Sequence, residues 1–196
     1  MQKIRKYSIL GIICIILLLP IFFGIYIEYL SIRESTLNVI FIFILGLIIL
    51  LFINIMTVVY CYDTHSLEVF KEHDVINALI TKENKPKLLL FLLLIMIIEE
   101  LIFRYYLIGF LLTQLELDVI TAILVSSIIF SLYHIHMWFK FKNLRILIIY
   151  LSHSFLLGLF NGYILLTLGI IPCILVHYSL VLISLLCIYR RYFRKT

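Results

Sequence analysis

Residues 88–112 read LLLFLLLIMIIEELIFRYYLIGFLL. A transmembrane helix needs about 20 mostly apolar residues, and this run supplies them. Three charged residues, Glu99, Glu100 and Arg104, nevertheless sit inside it. On insertion scales a charge at mid-membrane costs about 2.5–3.5 kcal/mol, so such residues turn toward protein or a water-filled cavity and mark function by default. The bland alternative is an ion pair holding helices together.

Helical geometry separates the three. Glu100 and Arg104 are four residues apart, on one face, with the acid first, which is the favourable order. Glu99 lies about 100° around the helix from Glu100. Arg104 therefore has a natural partner in Glu100, and Glu99 is left over. A carboxyl group without a partner in a poorly solvated place suits a general acid or base.

The rest of the chain is of the same kind. Its 196 residues are 64% hydrophobic, with a mean hydropathy of +1.18, against roughly 45–50% apolar in ordinary soluble domains. Six spans are expected, at about Ser8–Leu30, Leu37–Tyr60, Leu88–Leu112, Asp118–Met137, Ile146–Tyr163 and Gly169–Tyr189. This is an all-α integral membrane protein, a bundle of about six transmembrane helices forming a single transmembrane domain over residues 1–196. The basic N-terminus before the first apolar run reads as an uncleaved signal anchor. Between Cys61 and Lys87 the chain is charged, with interleaved apolar residues, and part of it is expected as an amphipathic helix on the membrane surface.

The net charge of +5 does not indicate nucleic acid, because the basic residues stand at the ends of apolar runs. The N-terminus carries three Lys or Arg, the Cys61–Lys87 loop four, Lys140–Arg145 three and the tail four, whereas the alternate loops hold only Arg33. The positive-inside rule then puts both termini on the cytoplasmic side of a multi-pass protein of the cell membrane, with the lipid bilayer as its solvent. Cys14, Cys61, Cys173 and Cys187 have no CxxC spacing and read as small apolar residues.

Two histidines, His134 in FSLYH and His177 in IPCILVHYSLV, fall inside spans. Either is ordinarily a hydrogen-bonded core residue; together with an unpaired glutamate they point to a catalytic site. His153 is expected at the interface, His136 on a different face from His134, and His65 and His73 in the charged loop. Gly158 and Gly162 form a small-xxx-small pair that lets helices pack closely.

These residues resemble the motifs of the CPBP family, also called the Abi or type II CAAX-protease family. EELIFR at Glu99–Arg104 is similar to its EExxxR motif and FSLYH at Phe130–His134 to its FxxxH motif. FLLGLFNGYILLTLGIIPCILVHYSLV, residues 155–181, resembles its third region, with Thr167, Gly169, Pro172 and His177 in order. The resemblance covers about residues 88–181. It implies an intramembrane endopeptidase in which Glu99 and His134 activate a water and His177 steadies the oxyanion, beside the Glu100–Arg104 pair. The substrate would be a peptide or protein cleaved near the cytoplasmic face. One position departs from the pattern: the asparagine of HxxxN is Val181. Ser179, Asn161 or a water would then substitute, or turnover would be reduced, or the chain would be a non-catalytic membrane binding or immunity protein keeping the fold. The Ile-, Lys-, Phe- and Tyr-rich composition is that of an AT-rich microbial genome, where bacteriocin processing or immunity is a more natural setting than prenyl-protein processing. No cofactor is expected: glutamate with two histidines is a possible zinc set, but HExxH is absent and the resemblance implies a metal-independent enzyme.

Overall fold

The computed structural model describes residues 2–71, 73–80 and 85–193. Among these described residues ten α-helices follow in order: α1 (Gln2–Phe22), α2 (Leu37–Tyr60), α3 (Thr64–Phe70), α4 (Asp74–Ile80), α5 (Lys85–Glu100), α6 (Leu107–Thr113), α7 (Val119–Tyr133), α8 (His136–Phe141), α9 (Leu144–Leu168) and α10 (Ile170–Ile188). No strand occurs among the described residues. Leu37–Tyr60, Val119–Phe141, Leu144–Leu168 and Ile170–Phe193 are each long and apolar enough to cross a membrane, and Ser8–Phe22 is a shorter apolar helix. The helix carrying the three charges runs without a break from Lys85 to Thr113, through a π-helical turn at Leu101–Tyr106. Large side chains such as Phe41, Ile48 and Phe52 stay exposed along α2, a surface that suits lipid and not water. The protein is an all-α integral membrane protein.

Local chemistry sets the helix ends. Thr36, Asp63, Asp118 and Asn143 each accept a hydrogen bond from the backbone N–H three residues on, satisfying one orphan donor at each helix start. At Asp63 this hydrogen bonding by Ser66 holds the carboxyl below its ordinary pKa, with Arg145 also acting in that direction. The first span is shorter than expected. α1 stops at Phe22, and the chain turns through Gly24 (φ 82°) and Tyr26 (φ 56°) into a 3-10 turn at Ile27–Tyr29. The fifth span is longer, reaching Leu168, where Gly169 at φ 84° closes the helix by donating to the Ile164 and Leu165 carbonyls. A Cβ at Gly169 would also lie 2.9 Å from the Ser31 carbonyl oxygen.

The charged loop forms two short helices, α3 and α4, which pack their apolar residues against the bundle. Leu67, Phe70, Val75 and Ile76 are buried in one cluster with Leu88, Leu92, Phe141 and Ile188. Arg145 pairs with Asp63 at 2.8 Å, Asn143 donates to Ser66 Oγ at 3.3 Å, and the Tyr192 hydroxyl donates to the Val58 carbonyl. The described basic loops thus gather at one end of the bundle. At the opposite end, Arg33 and Glu34 donate backbone hydrogen bonds to Thr167.

α7 and α9 pack closely through two glycines. A Cβ at Gly158 would sit 2.8 Å from Ser127 Cβ and 2.9 Å from its Cα, and one at Gly162 would sit 2.8 Å from Ile123 Cγ2. The pair does what small-xxx-small spacing does in membranes, letting two backbones approach.

Candidate active site

The EELIFR segment falls where α5 gives way to the π turn. Glu99 and Glu100 are the last residues of α5, and Arg104 is inside the turn. At its end Leu107 N–H donates to the Ile102 carbonyl, five residues back. Such turns insert an extra residue into a helix and recur at functional sites. The Ser126 hydroxyl of α7 donates to the Phe103 carbonyl at 2.5 Å, tying the turn to α7.

Arg104 is fully buried, and its Nε lies 3.3 Å from Glu100 Oε2. This is the i, i+4 pairing the sequence suggested. The guanidinium has a second partner that sequence spacing did not suggest: its Cζ stands 3.8 Å from the centre of the Phe130 ring. A cation over an aromatic face is stabilised by the ring quadrupole, most strongly when both are desolvated. Glu100 in turn takes a hydrogen bond from His177 Nδ1 at 2.7 Å. A carboxylate flanked by Arg accepts only, so the imidazole donates from Nδ1, and its Nε2 is the free nitrogen.

That nitrogen points at Glu99. His177 Nε2 lies 3.7 Å from Glu99 Oε2, which is buried and has no hydrogen-bond partner. Four charged or titratable groups therefore form a chain, Arg104–Glu100–His177–Glu99. Two carboxylates against one guanidinium leave a single negative charge, which one proton on His177 or Glu99 neutralises. Burial makes that balance matter, because an uncompensated charge away from water is costly.

His134 reaches the same place by another route. It ends α7, where the chain breaks before α8, and its Nδ1 lies 2.9 Å from the Phe130 carbonyl. A carbonyl only accepts, so the proton sits on Nδ1 and the Nε2 lone pair is free. The Phe130 ring stands edge-on to both His134 and His177, with centroids 4.8 and 5.7 Å away. No direct hydrogen bond or ion pair joins His134 to Glu99 among the described residues.

His134, His177 and Val181 line an open cavity of about 780 Å³ of atom-free space, mouth included. Glu99 is not among the residues on its wall but lies against His177, which is. His153 faces the cavity from α9, with Nδ1 3.0 Å from the Ile149 carbonyl and Nε2 3.2 Å from Thr57 Oγ1. His136 is exposed and bonded to the Tyr133 carbonyl. Asn161 serves α9–α10 packing, donating to the Cys173 carbonyl at 3.1 Å. Sequence reasoning overlooked Asn54 and Thr57 on α2, both buried and both on the cavity wall. The signal was available: a carboxamide inside LFINIMTVVY is as much out of place in hydrocarbon as a lone histidine. Among the described residues no three His, Cys, Asp or Glu side chains are grouped so as to hold a metal ion.

The sequence model of the type II CAAX prenyl endopeptidase Rce1-like family matches residues 82–183, just over half of the chain. The chain belongs to this family. No curated protein and no solved structure matches it. The type II CAAX endopeptidase match begins just before α5 and ends within α10, so it spans Glu99, Glu100, Arg104, His134 and His177 but leaves α2 outside.

Proposed function

We propose that this protein is a multi-pass intramembrane endopeptidase of the cell membrane that hydrolyses a peptide bond with a water activated by Glu99. The reading is supported above all by one relationship: His177, held by Glu100, presents its Nε2 to the Glu99 carboxyl, and His177 and His134 line the same cavity. A water bound between Glu99 and the His134 Nε2 lone pair gives its proton to Glu99. Its oxygen adds to the scissile carbonyl carbon, and the negative charge moves to the carbonyl oxygen. A protonated His177 Nε2, balanced by the two flanking carboxylates, donates to that oxygen. Collapse breaks the C–N bond, and Glu99 returns the proton to the leaving amine. General acid–base catalysis of this kind contributes typically about 10²–10⁴-fold.

Glu100 and Arg104 orient and do not react. Arg104 fixes the Glu100 charge, and Glu100 fixes the His177 tautomer. We take the chemistry to need no metal: a chelator should leave activity unchanged after dialysis. The direct test is cleavage of a complex peptide pool by the purified protein in detergent, read by mass spectrometry. Glu99→Gln should abolish every cleavage, at a loss of at least about 10²-fold. Identical product profiles for both proteins would sink the reading. One observation favours a second reading, a peptide-binding or immunity protein without turnover: Val181 puts an apolar side chain on the cavity wall one turn from His177. Saturable binding of a peptide that is never cut would support it.

A further inference from the structure

We propose that Asn54, on α2, is a substrate-contacting donor that supplies the oxyanion side of the cavity with the amide N–H that Val181 lacks; this rests on the endopeptidase reading. Among the described residues Asn54 is the one carboxamide on the cavity wall, which it shares with His134, His177 and Val181. It is buried, and its Nδ2 donates to the Leu180 carbonyl at 2.9 Å. Leu180 is the chain neighbour of Val181, so this bond holds the amide against the turn of α10 that carries position 181. A carboxamide nitrogen has two N–H donors and the Leu180 bond uses one; the other donor is available to a molecule in the cavity.

The chemistry needs such a group. The scissile carbonyl oxygen becomes negative, and donors fixed in advance around it are usually the largest catalytic contribution. His177 is one donor, while Val181 can offer none. Asn54 is already tethered, so it would lose little freedom on donating to the oxygen. Its place on α2 lies outside the residues that match the family, so the amino-terminal half of the bundle would complete the site.

The alternative role for Asn54 is a strut between α2 and α10. The experiment compares Asn54→Leu, which keeps the volume without a donor, with the double variant Asn54→Leu/Val181→Asn, using Glu99→Gln as the inactive control. The probes are a quenched-fluorescent peptide with a prenylated C-a-a-X terminus and a tryptic digest of a whole proteome, with each protein checked for monodisperse elution. If Asn54→Leu elutes as aggregate, Asn54→Ala, which also lacks a donor, takes its place. Loss of one oxyanion donor should lower kcat by about 10²-fold with KM little changed, and Val181→Asn should restore at least about tenfold of it. A strut would not be rescued from position 181. An unrescued loss, or an Asn54→Leu protein as active as the parent, overturns the proposal while the endopeptidase reading stands. A parent that cuts no more than Glu99→Gln overturns both.

Discussion

Arg104 lies over the face of Phe130, with its guanidinium carbon 3.8 Å from the ring centre and neither side chain exposed. The contact joins the two motifs physically. Phe130 and His134 are one turn apart on α7, so the ring that covers the arginine also fixes where His134 stands. The first and last residues of FSLYH thereby act as one piece.

Phe130→Leu should therefore harm more than packing. A buried cation–π contact stabilises by about 2 kcal/mol, and its loss frees both Arg104 and His134. We expect a lowered unfolding midpoint in detergent and a fall in kcat that exceeds any rise in KM. Unchanged kcat in a folded Phe130→Leu protein would show that the ring does not position the histidine.

Arg104 and Glu100 should be strongly coupled. Removing one partner of a buried pair costs about 3–5 kcal/mol, because the other charge is left uncompensated. Arg104→Met alone should approach that loss. Arg104→Met combined with Glu100→Gln should be less destabilised than the sum of the single changes. A double-mutant cycle on chemical unfolding measures the difference, and strict additivity would mean the pair does not interact.

The two glycines of α9 should not be equal. At Gly158 an added Cβ meets the Ser127 Cα at 2.9 Å as well as its Cβ, so a whole helix must move. At Gly162 it meets side-chain atoms of Ile123 and none of its backbone. Overpacking of this kind costs about 1–3 kcal/mol. Gly158→Ala should fall in the upper part of that range and Gly162→Ala in the lower. It should also cost more activity, since α7 carries His134. Equal losses at the two positions would be the wrong outcome.

Topology can be checked from exposed positions. Arg33, Lys71 and Lys142 are all exposed, the last two at the end where the described basic loops gather. In a cysteine-free background, single cysteines at 71 and 142 should be shielded from an impermeant reagent applied outside intact cells. A cysteine at 33 should react. Labelling at 142 from outside would reverse the expected orientation.

The membrane class, the all-helical fold and the Arg104–Glu100 pair were legible in the sequence. Each depends on properties local to the chain: the length of an apolar run and a spacing of four residues. The second span, expected at about Leu37–Tyr60, coincides with α2, which Thr36 caps.

The tertiary structure alone decided which faces turn inward. Lipid is as apolar as the interior of the bundle, so in these helices the pattern of apolar residues does not distinguish core from surface. The cavity position of His153 could not be found by inspection, nor could Thr57 be recognised as its neighbour across α2 and α9. His177 meets Glu100 at 2.7 Å across 77 positions of sequence, and no periodicity reports such a distance. The π turn shifts the helix after Glu100, and α3 and α4 fold under the bundle because Phe70 and Ile76 find a buried apolar cluster there. Local chemistry fixed the helices and the charges they carry; the packing of one helix against another determined which of those charges meet.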